Sequence, residues 1–355
     1  REDYVELCFT EQADLTQASV DAQVEQLQRD FELLAAISTF EGYRLIVAQL
    51  NASFGAVDCQ LAALEVTLDK LEMRKVLRQH QLSQINSWLL DEATLQLLQG
   101  ENTVSFIKPR SGVGSFGCFK LTADTQWSDI AQLVDELHQD AFLEVAYLGN
   151  FDFIAEQFIS GVECSFEVAA IDGQYFTLAM HEKTGLEARD NTILENVDVS
   201  PGITFSQALM RQGSDFVAAC LTALSLPEGA FHVETRYDHS TDQWEIIEVN
   251  PRIGGGFINQ SVKDITNGTS ILDAWISVLL RKAPTATIKQ QLAELDQQFS
   301  CPAVATIGHY IFGSPGKTLS KIELHPDKPA PAVLSEVLAV GDTLPFLSRE
   351  IPVIE

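Results

Sequence analysis

Residues 231–257, FHVETRYDHSTDQWEIIEVNPRIGGGF, constrain this chain more than any other segment. The pattern predicts two short amphipathic strands joined by a polar turn. Glu234 lies on the first strand. Glu248 and Asn250 lie two apart on the second, so their side chains share one face. Two carboxylates and an amide oxygen form a hard donor set. Such a set suits magnesium, which keeps its other positions for water and phosphate oxygens. Arg252 follows at once and is placed to grip a phosphoryl or carboxylate group in a fork. Alone, the segment fits an exposed acidic hairpin as well as a metal site.

The 355 residues are enough for two or three domains and a large core. Hydrophobic residues make up 46%, the ordinary level for a globular chain. There is no apolar run long enough to cross a membrane and no signal peptide at the start, so a cytoplasmic protein is expected. Asp and Glu number 50 against 23 Lys and Arg, a net charge of -27. Such a chain repels nucleic acid and anionic membranes, and no basic patch offsets this. A site for a polyanion must therefore gather its own cations. Cys8, Cys59, Cys118, Cys164, Cys220 and Cys301 are dispersed without a C-x-x-C. That spacing argues against a zinc knuckle or a thioredoxin motif and for small buried hydrophobes in a reducing compartment.

Strands are expected at 4–9 and 31–38 and helices at 20–30 and 41–53. This βαβα order points to a parallel sheet, short enough to suggest that an initial strand and helix are missing. A charged helix follows at 68–80, a strand at 103–107 and a helix at 127–139. Further strands are expected at 153–158, 165–171 and 175–181. Residues 182–201 are polar and read as a mobile loop. Helices are expected at 204–224 and 271–281, a Gln-rich connector at 283–302, and β segments at 304–312, 321–324 and 333–340.

Two further motifs carry chemistry. FIKPRSGVGSFGCFKL, residues 106–121, runs from a strand ending near Lys108 through a glycine-rich loop into another strand. Glycines let backbone N–H groups approach phosphate oxygens closely, and Lys108 adds a point charge. The loop is no Walker A motif and no dinucleotide fingerprint, because neither a G-K-[ST] nor a helix follows it. AEQFISGVECSFEV, residues 155–168, reads as a hairpin. Its Glu156, Gln157, Phe158 and Ile159 are placed to meet an adenine edge and Glu163 to meet ribose hydroxyls; an edge hairpin with exposed acids explains it equally well.

Lys70, Lys108 with its glycine loop, residues 156–163, and then Glu234, Glu248, Asn250 and Arg252 occur in an order that resembles the ATP-grasp superfamily, over roughly residues 69–281. The resemblance implies an α/β and α+β architecture. An apparently incomplete Rossmann-like domain (1–66) and a helical connector (67–98) would precede a small ATP-grasp subdomain (99–171). A large subdomain with the metal site (172–283) and a β-rich C-terminal region (284–355) would follow. It further implies ATP and Mg2+, with Mn2+ as a substitute. Lys70, Lys108, Ser111, Gly112, Gly114, Ser115 and Gly117 would hold the phosphates. Glu156, Gln157, Phe158 and Ile159 would meet adenine and Glu163 ribose, while Glu234, Glu248 and Asn250 would hold the metal and Arg252 an activated intermediate.

ENTVSFIKPRSGVGSFG and HVETRY…EVNPRIGGGF look most like the L-amino-acid ligase branch. That branch joins a carboxylic acid or amino acid to an amino acid through an acyl phosphate, releasing ADP and phosphate. The resemblance implies these small-molecule substrates and a homodimer. His181, Lys183, Arg252, Gly254, Gly255 and Gly256 are then the candidate substrate contacts. Three alternatives stand beside this reading: a carboxylase or purine-pathway type acting on bicarbonate or formate, a nucleotide-binding module without turnover, and peptide tagging of a protein.

Overall fold

The computed structural model describes residues 16–101, 104–139, 145–189, 192–324, 326–327, 329–344 and 352–354. The strand expected at 4–9 and Cys8 lie outside these residues. Gln17–Leu27 is a helix opened by a capping box between Thr16 and Ser19. Residues 31–38 form no strand, contrary to expectation. Asn51 supplies the reason. Its side chain accepts from Ala36 N at 2.7 Å and donates to Ala36 O at 3.0 Å. One amide thus satisfies backbone groups that would otherwise seek a sheet neighbour. The chain continues as helices Arg44–Phe54, Leu61–Leu68 and Lys70–Gln79. Asp69 caps the last by accepting from Leu71 and Glu72, which fixes Lys70 in the first helical turn.

Every ladder between named strands among the described residues is antiparallel, so no parallel sheet forms there. β1 (Ser87–Leu89), β2 (Ser105–Pro109), β3 (Phe119–Lys120) and β4 (Phe153–Gln157) make a small sheet in the order β1-β4-β2-β3. The glycine-rich loop joins β2 to β3. The large sheet comprises β5 (Val162–Ile171), β6 (Gln174–Arg189), β7 (Thr192–Ser200), β8 (Gly229–Asp238), β9 (Gln243–Asn250) and β10 (Thr306–His309). Its order is β10-β7-β6-β5-β8-β9. The chain changes sheet at 158–161, ahead of the subdomain boundary expected at 171. β11 (Ile311–Phe312) and β12 (Pro352–Ile354) form a separate pair.

Two further expectations are corrected. Residues 182–189 and 192–200 are not an irregular loop: β6 runs on to Arg189 and pairs with β7, Lys183 opposite Asp198. The stretch reads as polar because one of its faces carries charged groups into the cavity described below, which masks the alternation. Residues 283–302 are not a connector, since Thr285–Gln298 is a helix with Ile288 and Leu292 buried and Leu295 packed beside them. Three apolar residues at helical spacing suffice to seat it. In the C-terminal region, 321–324 carries no strand.

The large sheet is covered on both faces. Helix Gln207–Ala223 places Val217, Cys220 and Leu221 against Phe166, Trp244 and Ile246. Helix Ile271–Leu280 places Trp275 and Val278 against Ala169, Ala179 and Ala230. Cys59, Cys164 and Cys220 are buried free thiols as expected, whereas Cys301 is exposed.

Candidate active site

A cavity of about 380 Å³ lies between the two sheets. Its first end is apolar, lined by Phe106, Phe158 and Ile159. Arg236 closes this end: its guanidinium lies 5.1 Å from the Phe158 ring centroid, and Nε and Nη2 donate to Glu163 at 2.9 and 2.7 Å. The Glu163 carboxylate is therefore gripped by protein. The same holds for Glu156, whose oxygens meet Arg74 at 2.8 Å and Lys108 at 2.6 Å. Burial alone would raise the Glu156 pKa, but these two cations bring it below the ordinary range. Gln157 also lines the cavity, and its side-chain oxygen accepts from Asn86 N at 2.8 Å.

The middle of the cavity carries Lys70, Lys108 and part of the glycine loop. Gly112, Gly114 and Ser115 line it. Gly114 stands at φ +66° with open space around it, a backbone that residues bearing side chains rarely adopt. Ser111 and Gly117 support the loop from behind. The Ser111 hydroxyl donates to Leu68 O at 3.2 Å, and a Cβ on Gly117 would come within 2.8 Å of the Phe153 ring. Lys70 Nζ donates to Gly112 O at 3.1 Å and lies 3.1 Å from Glu248. Burial opposes the Lys70 charge, yet Glu248 and Glu41 hold its pKa above the ordinary value.

Acidic groups gather beyond the lysines. Glu248 accepts from Asn250 Nδ2 at 3.0 Å. Glu234 faces Glu248 across the β8–β9 ladder, but its carboxylate turns toward Lys183 at 3.2 Å and His232 at 3.2 Å. Carboxylate oxygens of Glu163, Glu195 and Glu234 lie within 4.8 Å of one another, and the Lys183 ammonium sits among them, 2.5 Å from Glu195. Lys183 is held protonated, with its pKa raised well above the usual value against the opposing effect of burial. These oxygens are hard donors from adjoining strands, whereas Asn250 lies beside Glu248, Glu41 and Lys70. Glu41 adds a buried Oε2 without a hydrogen-bond partner, close enough to Glu248 and Lys70 to feel both charges. The donor set fits a divalent cation that shares phosphate oxygens.

Arg252 lines the cavity and pairs with Glu41 at 3.0 Å. Of the glycines after it, only Gly255 faces open space. A Cβ on Gly254 would meet Ile258 at 2.6 Å, and one on Gly256 would meet the Tyr310 ring at 2.6 Å. Close packing explains those two. His181 Nε2 lies 2.8 Å from Ser261 Oγ, and burial lowers its pKa. His232 is the opposite case. Burial disfavours its charge, but Glu167 at 2.6 Å and Glu234 raise its pKa to about 10.

Several residues of this site escaped the sequence reading. Arg74 joins Glu156 of the small sheet to Glu245 of the large one, at 2.8 and 2.6 Å, while 1% exposed. On a charged helix it passes for a solvated side chain. Glu41, Glu195 and Asp198 stand in no motif. His232 and Arg236 had a signal, each two residues from Glu234 within the same strand motif.

Two antiparallel sheets thus enclose lysines, a glycine loop and a group of carboxylates. The chain carries an ATP-grasp domain: residues 102–260 match that family. Among solved structures, an L-amino acid ligase from Bacillus licheniformis superposes with a TM-score of 0.74 at 18% identity, covering 95% of this chain and 79% of that one. The biotin carboxylase domain of a 2-oxoglutarate carboxylase from Hydrogenobacter thermophilus, in complex with MgADP and bicarbonate, gives 0.63 at 13%, covering 94% and 72%. Phosphoribosylglycinamide synthetase from Anaerococcus prevotii gives 0.62 at 14%, covering 96% and 80%. At such identities the likeness shows the fold alone. No curated protein matches the sequence. No helix among the described residues is long and apolar enough to cross a membrane.

Proposed function

We propose that this chain is an ATP-dependent ligase that joins a carboxylic acid or amino acid to an amino acid. The observation that carries the reading is the juxtaposition, in one cavity, of Lys70, Lys108, Glu234, Glu248 and Arg252 around a glycine loop. A carboxylate is a poor acyl donor because its oxygen leaves badly. In the proposed reaction a carboxylate oxygen attacks the γ-phosphorus and ADP departs. The amine then attacks the acyl carbon, and phosphate departs with the former carboxylate oxygen. Both steps spread negative charge over oxygens, so cations fixed in advance lower the barrier.

Lys108 and Lys70 are the fixed cations beside the glycine loop, each held by a carboxylate, Glu156 and Glu248. Phe106, Phe158 and Ile159 offer adenine an apolar slot. Glu234, Glu248 and Asn250 would hold Mg2+, which when bound supplies charge neutralisation at phosphate oxygens. Arg252 needs only to exchange Glu41 for a substrate oxygen to meet the reacting group.

The carboxylase and purine-pathway readings draw support from the comparable overlay of the two other enzymes. Phosphate release across a matrix of paired amino acids, with bicarbonate and formate as further acids and mass spectrometry of products, separates the readings. A dipeptide mass appearing with phosphate supports the ligase; phosphate released only with bicarbonate or formate removes it.

A further inference from the structure

Asp198 lies on β7 between Lys183 of β6 and Gly308 of β10. It lines the cavity, as do Gly255, Tyr310 and Phe312, yet is only 9% exposed. Among the described residues its carboxylate has no hydrogen bond and no ion pair. Each of the other acids at this end has a cationic partner: Arg236 and Lys183 for Glu163, Lys183 for Glu195, Lys183 and His232 for Glu234, Lys70 for Glu248 and Arg252 for Glu41. His181 is close enough to feel the Asp198 charge, but burial holds its pKa below the ordinary value.

The neighbouring strand is shaped to the carboxylate. A Cβ on Gly308 would stand 2.7 Å from Asp198 Oδ2 and 2.8 Å from Oδ1, so the group lies across a bare Cα. A buried carboxylate without a partner is costly, and the cost is removed when a cation binds against it. Asp198 is not one of the three carboxylates close enough to share a metal ion. Bicarbonate and formate carry no cationic group, and Asp198 would repel both.

We infer that Asp198 receives the α-ammonium group of an amino-acid substrate, selecting amino acids over acids that lack the amine. The inference names the substrate class of the proposed ligase and rests on that reading for its place in the reaction, but it is tested by binding alone. The full chain is loaded with Mg2+ and a non-hydrolysable ATP analogue and titrated with the common L-amino acids. For each that binds, the acid lacking the amine is titrated too. The wild type is expected to prefer the amino acid, and Asp198→Asn to weaken that binding by about ten- to a hundredfold, the scale of one charged hydrogen bond. The affinities for the acid lacking the amine, the ATP analogue and Mg2+ are expected to stay unchanged.

Should Asp198→Asn fail to bind the analogue, Gly308→Ala carries the test, because it displaces the carboxylate without removing it; the same selective loss is expected. Absence of amino-acid binding by the wild type overturns the inference, as does an unchanged preference in a variant that binds the analogue. A loss of Mg2+ affinity in place of amino-acid affinity overturns it too, by making Asp198 a metal ligand. Selective amino-acid binding without turnover leaves the inference standing and sinks the ligase.

Discussion

The β8–β9 and β6–β7 hairpins both send charged side chains into the same cavity, yet they do different work. On β8–β9 Val233 pairs with Val249 in the core and Glu234 with Glu248 beside the cavity, and one register shift beyond Glu234 returns Ile246 to the core. On β6–β7 the register slips at two places beside Gly185, and Lys183 meets acids from β5, β7 and β8. In the proposed reaction Glu234 and Glu248 of the first hairpin serve the metal. Lys183 of the second instead pairs with acids that its neighbours have already buried and, among the described residues, leaves Asp198 opposite it without a partner. A charge facing a cavity is thus no proof of a ligand contact; its partners within the protein decide which role it has.

That division can be broken by substitution. Glu248→Ala should reduce phosphate release by roughly a hundred- to a thousandfold while leaving the melting temperature near wild type, since the proposed reaction gives Glu248 to the metal. Near-normal turnover would remove it from the metal set. Arg252→Ala should lower kcat by about a hundredfold with little change in nucleotide affinity, because its role lies in the charge developed during reaction. A loss confined to ATP affinity would contradict this.

Lys183→Ala tests the other hairpin. It leaves Glu163, Glu195 and Glu234 facing one another, and urea unfolding should show a destabilisation of roughly 3–5 kcal/mol, the usual result of removing one partner from a buried ion pair. A stable Lys183→Ala protein that has lost activity would move Lys183 to the functional side and erase the contrast. The smallest change is expected for Lys108→Ala, a loss of nucleotide affinity of about ten- to a hundredfold, measured by calorimetry. Arg74 remains to satisfy Glu156 in that variant, so its fold should survive.

The same contrast explains what could be read from the residues. β8, β9 and the glycine loop were legible because one face is apolar and the special residues stand at fixed offsets. β7 was not, because its cavity-facing polar groups mask a two-residue period that survives only in the burial of Thr192, Leu194, Asp198 and Ser200. The helix Thr285–Gln298 was hidden by its glutamines, although Ile288 and Leu292 stand one turn apart. The missing strand at 31–38 lay beyond local reasoning, since Asn51 occupies the backbone of Ala36 from a later helix. Arg74, Arg236 and Asp198 acquire roles only when distant strands meet.

Isotope transfer tests the proposed reaction most directly. An acid substrate labelled with 18O in its carboxylate is turned over with ATP and its amine partner, and the released phosphate is analysed by mass spectrometry. Attack on the γ-phosphorus followed by amine displacement leaves one carboxylate oxygen in the phosphate. Label found in phosphate alongside the amide product is the predicted result; phosphate released without label would contradict acyl phosphate chemistry in this cavity.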